Sequence, residues 1–118
     1  MYKTIITEIG PMAYELIGGG MLVVFNENAP AALREMSVMH TIESLRHPVK
    51  VDDIVVFGDQ EYLVTAVGHE ANNTLDTMGH CTFCFNGKSE VQIPGQIELS
   101  GDGVPTLAIG CGFHIYST

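Results

Sequence analysis

Five histidines (His40, His47, His69, His80 and His114) and three cysteines (Cys81, Cys84 and Cys111) carry most of the reactive chemistry in these 118 residues. An imidazole titrates near neutral pH, so it serves as base, metal ligand or nucleophile. No two of the histidines have the HExxH spacing of a zinc protease. His40 and His47 lie seven apart, which is not a standard ligand pair, so a metal centre would have to be assembled from distant positions. Cys81 and Cys84 form a CxxC, but within His80-Cys81-Thr82-Phe83-Cys84-Phe85, a stretch that alternates like a strand. A period of two sends the two thiols to opposite faces, which suits packing better than redox or zinc chemistry. No second CxxC completes a zinc ribbon, and GxxxxGK[ST], GxGxxG and GxSxG are absent. Nucleotide enzymes and α/β hydrolases therefore find no support here.

What remains is Met36-Ser37-Val38-Met39-His40-Thr41-Ile42-Glu43-Ser44. His40 sits among apolar residues with three hydroxyls nearby. By residue type alone it is either a satisfied core histidine or a nucleophile, and both readings stay open.

The elements that must position it read mostly as β. Lys3 to Ile9, Met21 to Phe25, Asp53 to Phe57, Tyr62 to Val67, Cys81 to Phe85, Glu90 to Ile93, Gln96 to Leu99 and Phe113 to Tyr116 have strand character. Gly58 to Glu61 reads as a hairpin turn, and Asn86-Gly87 as a second one joining Cys81–Phe85 to Glu90–Ile93. Ala29 to Met36 is the best helix, with proline near its start. Pro11 to Ile17 suits a short helical turn, Gly68 to Gly79 a loop or short helix, and Ser37 to Ile42 is open between strand and helix. Short strands with a turn roughly every ten residues predict a mostly β fold, a small barrel or barrel-like sandwich with one or two short helices. The length predicts one domain over residues 1–118.

Composition narrows the partners. Hydrophobic residues make up 46% of the chain and charged residues 16%, enough to build a core. A net charge of −9 argues against nucleic acid; it either suits a basic protein partner or merely keeps the chain in solution. The N-terminal MYKTIITEIG is unlike a secretory signal, and no apolar run is long enough to span a bilayer. A cytoplasmic protein with reduced thiols is expected. Exposed edge strands would allow a homodimer.

Several blocks together resemble the glucitol/sorbitol-specific IIA proteins of the bacterial phosphotransferase system. They are Thr4–Gly10, Met21–Phe25, Asn28–Leu33, Val38-Met39-His40, Leu45–Pro48, Tyr62–Gly68, Leu75, Gly79-His80, Thr82-Phe83, Phe85-Asn86-Gly87 and Ile93-Pro94-Gly95. The resemblance implies a small, mostly β barrel. It implies a carrier that takes a phosphoryl group from the protein HPr and passes it to the IIB domain of a sorbitol permease, with His40 as the phosphorylated residue and Nε2 as the attacking atom. Such a carrier meets the membrane only through the permease and needs no metal or nucleotide. His80, Thr41, Ser37 and Ser44 are the candidates for supporting the ring or donating to phosphoryl oxygens. Arg46 either attracts the phosphoryl group or lies idle on the surface. Glu43 is expected to face solvent or orient a ring nitrogen. Many relatives carry a second histidine two residues after the active one, then glycine; here Ile42 and Glu43 stand at those positions.

A carrier's histidine must be reachable, so His40 is expected at a shallow surface rimmed by Met36, Val38, Met39 and Ile42, with about half of these turned into the core. The alternative is a related barrel that binds or regulates without transferring phosphate.

Overall fold

Alternation along the first strand sets the architecture. Tyr2, Thr4 and Ile6 are buried while Lys3 and Ile5 are exposed, so β1 (Tyr2–Ile9) presents one face to a core. The computed structural model describes residues 1–118. After β1 come α1 (Ala13–Gly18), β2 (Met21–Asn26), α2 (Ala31–Arg34), β3 (Val38–His40), β4 (Ile54–Phe57), β5 (Gln60–Val67), α3 (Ala71–Met78), β6 (Cys81–Cys84), β7 (Gln96–Ser100) and β8 (Gly112–Tyr116). The eight strands close into a barrel in the order β1-β3-β2-β6-β7-β5-β4-β8. β2 with β3 and β6 with β7 are parallel pairs; every other pairing is antiparallel.

The interior is aromatic. Phe57 and Phe113 stack with centroids 5.1 Å apart, and Phe83 meets both edge-on at 5.6 and 5.7 Å. Such edge-to-face contacts add specificity to area burial. α3 buries Ala71 and Leu75 in the same cluster. Its end is closed by the Gly79 and His80 N–H groups donating to Leu75 O and Thr74 O. Gly79 takes the left-handed conformation, φ +61°, that suits glycine after a helix.

The expected β class holds, with three short helices in place of one or two. Helix over Ala29–Met36 shrinks to the single turn of α2, because Asn26, Ala29 and Ser37 tie the flanking backbone into loop and strand contacts. The hairpin at Asn86-Gly87 does not form. Gly87 does turn, at φ +64°, but no strand covers residues 90–93, and β6 pairs with β2 and β7 instead. A parallel partner for β6 demands a return crossover rather than a tight turn. Gln96 and Glu98 hold that crossover: Gln96 Oε1 accepts from the N–H groups of Gln92 and Ile93, and Glu98 Oε1 from Lys88 N–H. Closure also removes the exposed edge strands that would have allowed a homodimer. No helix is long and apolar enough to cross a membrane.

Candidate functional site

β3 is three residues long and alternates as a strand must. Val38 points into the barrel core, Met39 packs outside with Phe25 and Ala29, and His40 turns inward again. His40 pairs with Ile6 across the antiparallel register and with Asn26 across the parallel one. Its ring meets Phe113 edge-on at 5.1 Å and Tyr2 at 6.0 Å. Nδ1 lies 2.9 Å from the Thr41 carbonyl oxygen and Nε2 lies 2.8 Å from that of Gly79.

This geometry overturns the expected open ring, and by burial alone it favours the reading of His40 as a satisfied core histidine. His40 is 0% exposed and both its nitrogens face carbonyls. The cause is strand alternation, which sends His40 inside, and the α3–β6 turn, which lies over the ring. A neutral imidazole has one N–H and donates to one carbonyl; the other then faces a lone pair. The imidazolium would satisfy both, but burial opposes it. Desolvation pulls the His40 pKa below its usual 6.5, against the opposing pull of the Thr41 and Gly79 carbonyls and the Glu27 carboxylate.

The supporting candidates scatter. Thr41 is at the site through its carbonyl, while its Oγ1 accepts from Ile5 N–H at 3.0 Å. Ser37 is buried, and its hydroxyl donates to Leu33 O at 2.6 Å, one turn back along the chain. Ser44 is exposed and its N–H donates to Glu43 Oε1. Arg46 is exposed. Of the expected apolar rim, Val38 and Met39 are buried, whereas Met36 and Ile42 are 44% and 58% exposed.

His80 is half-buried. Its Nδ1–H donates to Val24 O at 3.1 Å and its ring stacks on Phe25 at 4.1 Å. That carbonyl fixes the tautomer and leaves Nε2 with the lone pair and no protein partner. Phe25 also lines a concavity of about 250 Å³, with Asn26, Thr77 and Met78 on its wall. Neither histidine lines it; Phe25, which stacks on His80, and Asn26, which pairs with His40, do.

Two residues at the site escaped the motif reading. Gly79 has no room for a side chain: a Cβ there would overlap Asn26 Oδ1 and lie 2.8 Å from His40 Cε1. Asn26 faces His40 across a parallel pairing that no local pattern announces. No group of three or more His, Cys, Asp or Glu is placed to hold a metal ion. The buried Cys81 thiol is pushed up by burial, and Cys81, Cys84 and Cys111 are all free.

A closed eight-stranded barrel with one histidine sealed under a helix end is thus the class of protein at hand. The chain belongs to the glucitol/sorbitol-specific IIA components of the phosphotransferase system, whose family model matches residues 1–114. It is 34% identical over 110 residues to the glucitol/sorbitol-specific EIIA component of Escherichia coli K12, covering 93% of this chain and 89% of that one. The Shigella flexneri protein of the same description matches to the same extent. The fold is also that of a crystal structure of a phosphotransferase system IIA component from Enterococcus faecalis V583. There the TM-score is 0.81 at 24% identity, over 95% of this chain and 97% of the other.

Proposed function

We propose that this IIA component is a cytoplasmic phosphocarrier. His40 Nε2 accepts a phosphoryl group from phospho-HPr and passes it to the IIB domain of a glucitol/sorbitol permease, the carrier's only route to the membrane. Family membership supports the role. The observation that supports the residue is the Thr41 carbonyl 2.9 Å from Nδ1: a proton held there, in competition with the Gly79 carbonyl 2.8 Å from Nε2, leaves Nε2 as the nucleophilic atom. Burial lowers the pKa, which keeps the ring in the neutral, attacking form. With the proton on Nδ1, Nε2 and Gly79 O oppose each other lone pair to lone pair, so the turn after α3 is the part poised to yield.

As the donor's N–P bond breaks, the His40 Nε2–P bond forms. Nδ1 keeps its proton, so the phosphorylated His40 ring is cationic, and the donor ring, protonated on its other nitrogen, leaves as neutral imidazole. Little covalent chemistry is asked of the protein beyond positioning and donors for the phosphoryl oxygens. Met36 and Ile42, both exposed, supply apolar contact for transient partners.

The test is phosphorylation by phosphoenolpyruvate, the general phosphotransferase enzyme and HPr. One acid-labile, base-stable phosphate is expected on the wild type and none on His40→Asn. A second reading is favoured by the free Nε2 of His80, whose ring stacks on Phe25 in the wall of the concavity, and places the phosphate there. Label that survives His40→Asn and vanishes in His80→Asn would establish it. HPr binding without any label would instead make the barrel a regulatory module.

A further inference from the structure

We propose that Asn26 is the side chain that binds the transferring phosphoryl group at His40, an inference that rests on the phosphocarrier reading. Asn26 ends β2 and is 7% exposed, yet its Oδ1 has no hydrogen-bond partner. A buried carbonyl oxygen without a donor is unfavourable, and such groups call for a reason. Tyr2, Thr7 and Tyr62 also carry unpaired buried oxygens, but only Asn26 combines this with the wall of the 250 Å³ concavity.

Its placement suits a phosphoryl group on His40. The parallel register sets Asn26 opposite His40. Oδ1 lies against Gly79, on the same side as His40 Cε1, the carbon between the two ring nitrogens. Displacement of the Gly79 carbonyl from Nε2 therefore uncovers the ring beside the Asn26 amide. Half a turn about the Asn26 side-chain amide exchanges oxygen for NH2, turning an acceptor into a donor for an anionic oxygen.

A neutral donor suits the charges present here. No lysine or arginine lines the concavity. Arg34 approaches the same loop, but its guanidinium donates to Glu27 O, Ala29 O and the Glu8 carboxylate. In the transfer itself Asn26 is not consumed. It donates an N–H to a phosphoryl oxygen while the N–P bond moves from the donor imidazole to Nε2, and no proton changes hands.

The experiment measures the rate of transfer from phospho-HPr to wild type, Asn26→Leu and Asn26→Asp, with thermal unfolding of each chain in parallel. Leucine fills nearly the same space without donors, and aspartate sets a negative charge against the phosphate. Loss of one such donor is expected to slow transfer by about a hundredfold in Asn26→Leu, and further in Asn26→Asp, through kcat rather than KM. Wild-type kcat in a folded Asn26→Leu chain overturns the proposal. A readout free of substitution is the Asn26 side-chain amide signal in wild-type nitrogen-15 spectra. It should move on phosphorylation, and an unmoved signal likewise overturns the proposal. Label that survives His40→Asn would instead defeat the phosphocarrier reading at His40, and this inference with it.

Discussion

Thr41 and Gly79 set two carbonyl oxygens against one imidazole, more acceptors than a neutral ring has protons. The consequence for stability has a definite sign. Burial lowers the folded-state pKa of His40 below 6.5, so between that lower value and about 6.5 the unfolded chain binds more protons. Stability is complete above that window and falls as the pH drops through it. His114 adds a slope of the same sign, from its partial burial and then from Lys3. Urea unfolding between pH 7.5 and 5.5 should show a steeper loss for wild type than for His40→Asn, and equal slopes would show that the ring does not resist protonation. By residue type the sequence left His40 open between core histidine and nucleophile, and the family resemblance alone singled it out. Its burial was not legible, because exposure depends on which face a three-residue strand turns inward and on α3, which lies more than thirty positions away. Ser37 shows the same limit: a hydroxyl close in sequence spends its proton on Leu33 O.

At the scale of elements, the end of α3 decides the site. Gly79 has a left-handed φ of +61° and no space for a methyl group, whereas Gly103 has φ +69° with nothing within 4 Å of an added Cβ. Gly103→Ala should therefore show only the backbone penalty, about 1 kcal/mol. Gly79→Ala adds displacement of Asn26 and His40 and should lose about 2–4 kcal/mol. Denaturant midpoints of the two variants check this, and equal losses would show that the turn has slack. Strands with clear apolar runs, such as Met21–Phe25 and Tyr62–Val67, were readable because local pattern suffices for them. The Asn86-Gly87 signal misled because a turn dipeptide says that the chain bends, not which strand it meets next. The partner of β6 is chosen by barrel closure, and Gln96 and Glu98 then pin the crossover.

For the whole molecule, closure and charge matter most. Every strand edge is paired, so recognition has to use side chains on the outer wall rather than an added strand. The net charge of −9 should speed encounter with a basic partner. Transfer from phospho-HPr is expected to slow by about tenfold or more between 50 and 500 mM salt as the attraction is screened. Initial rates at the two salt concentrations test this, and a salt-independent rate would remove charge from the account. The mostly β class and the acidic bias were both legible in composition and turn spacing. The strand order was not, since two parallel pairs interrupt what a simple meander would predict. One last consequence follows from the 2.8 Å between Gly79 O and His40 Nε2. On the phosphocarrier reading, a phosphorus atom bonded to that nitrogen needs the space the carbonyl now fills, so the charged and empty states would follow different backbone paths around residue 79. The protein that delivers the group and the one that collects it would then meet different surfaces, and traffic along the relay would acquire a direction from shape as well as from chemistry.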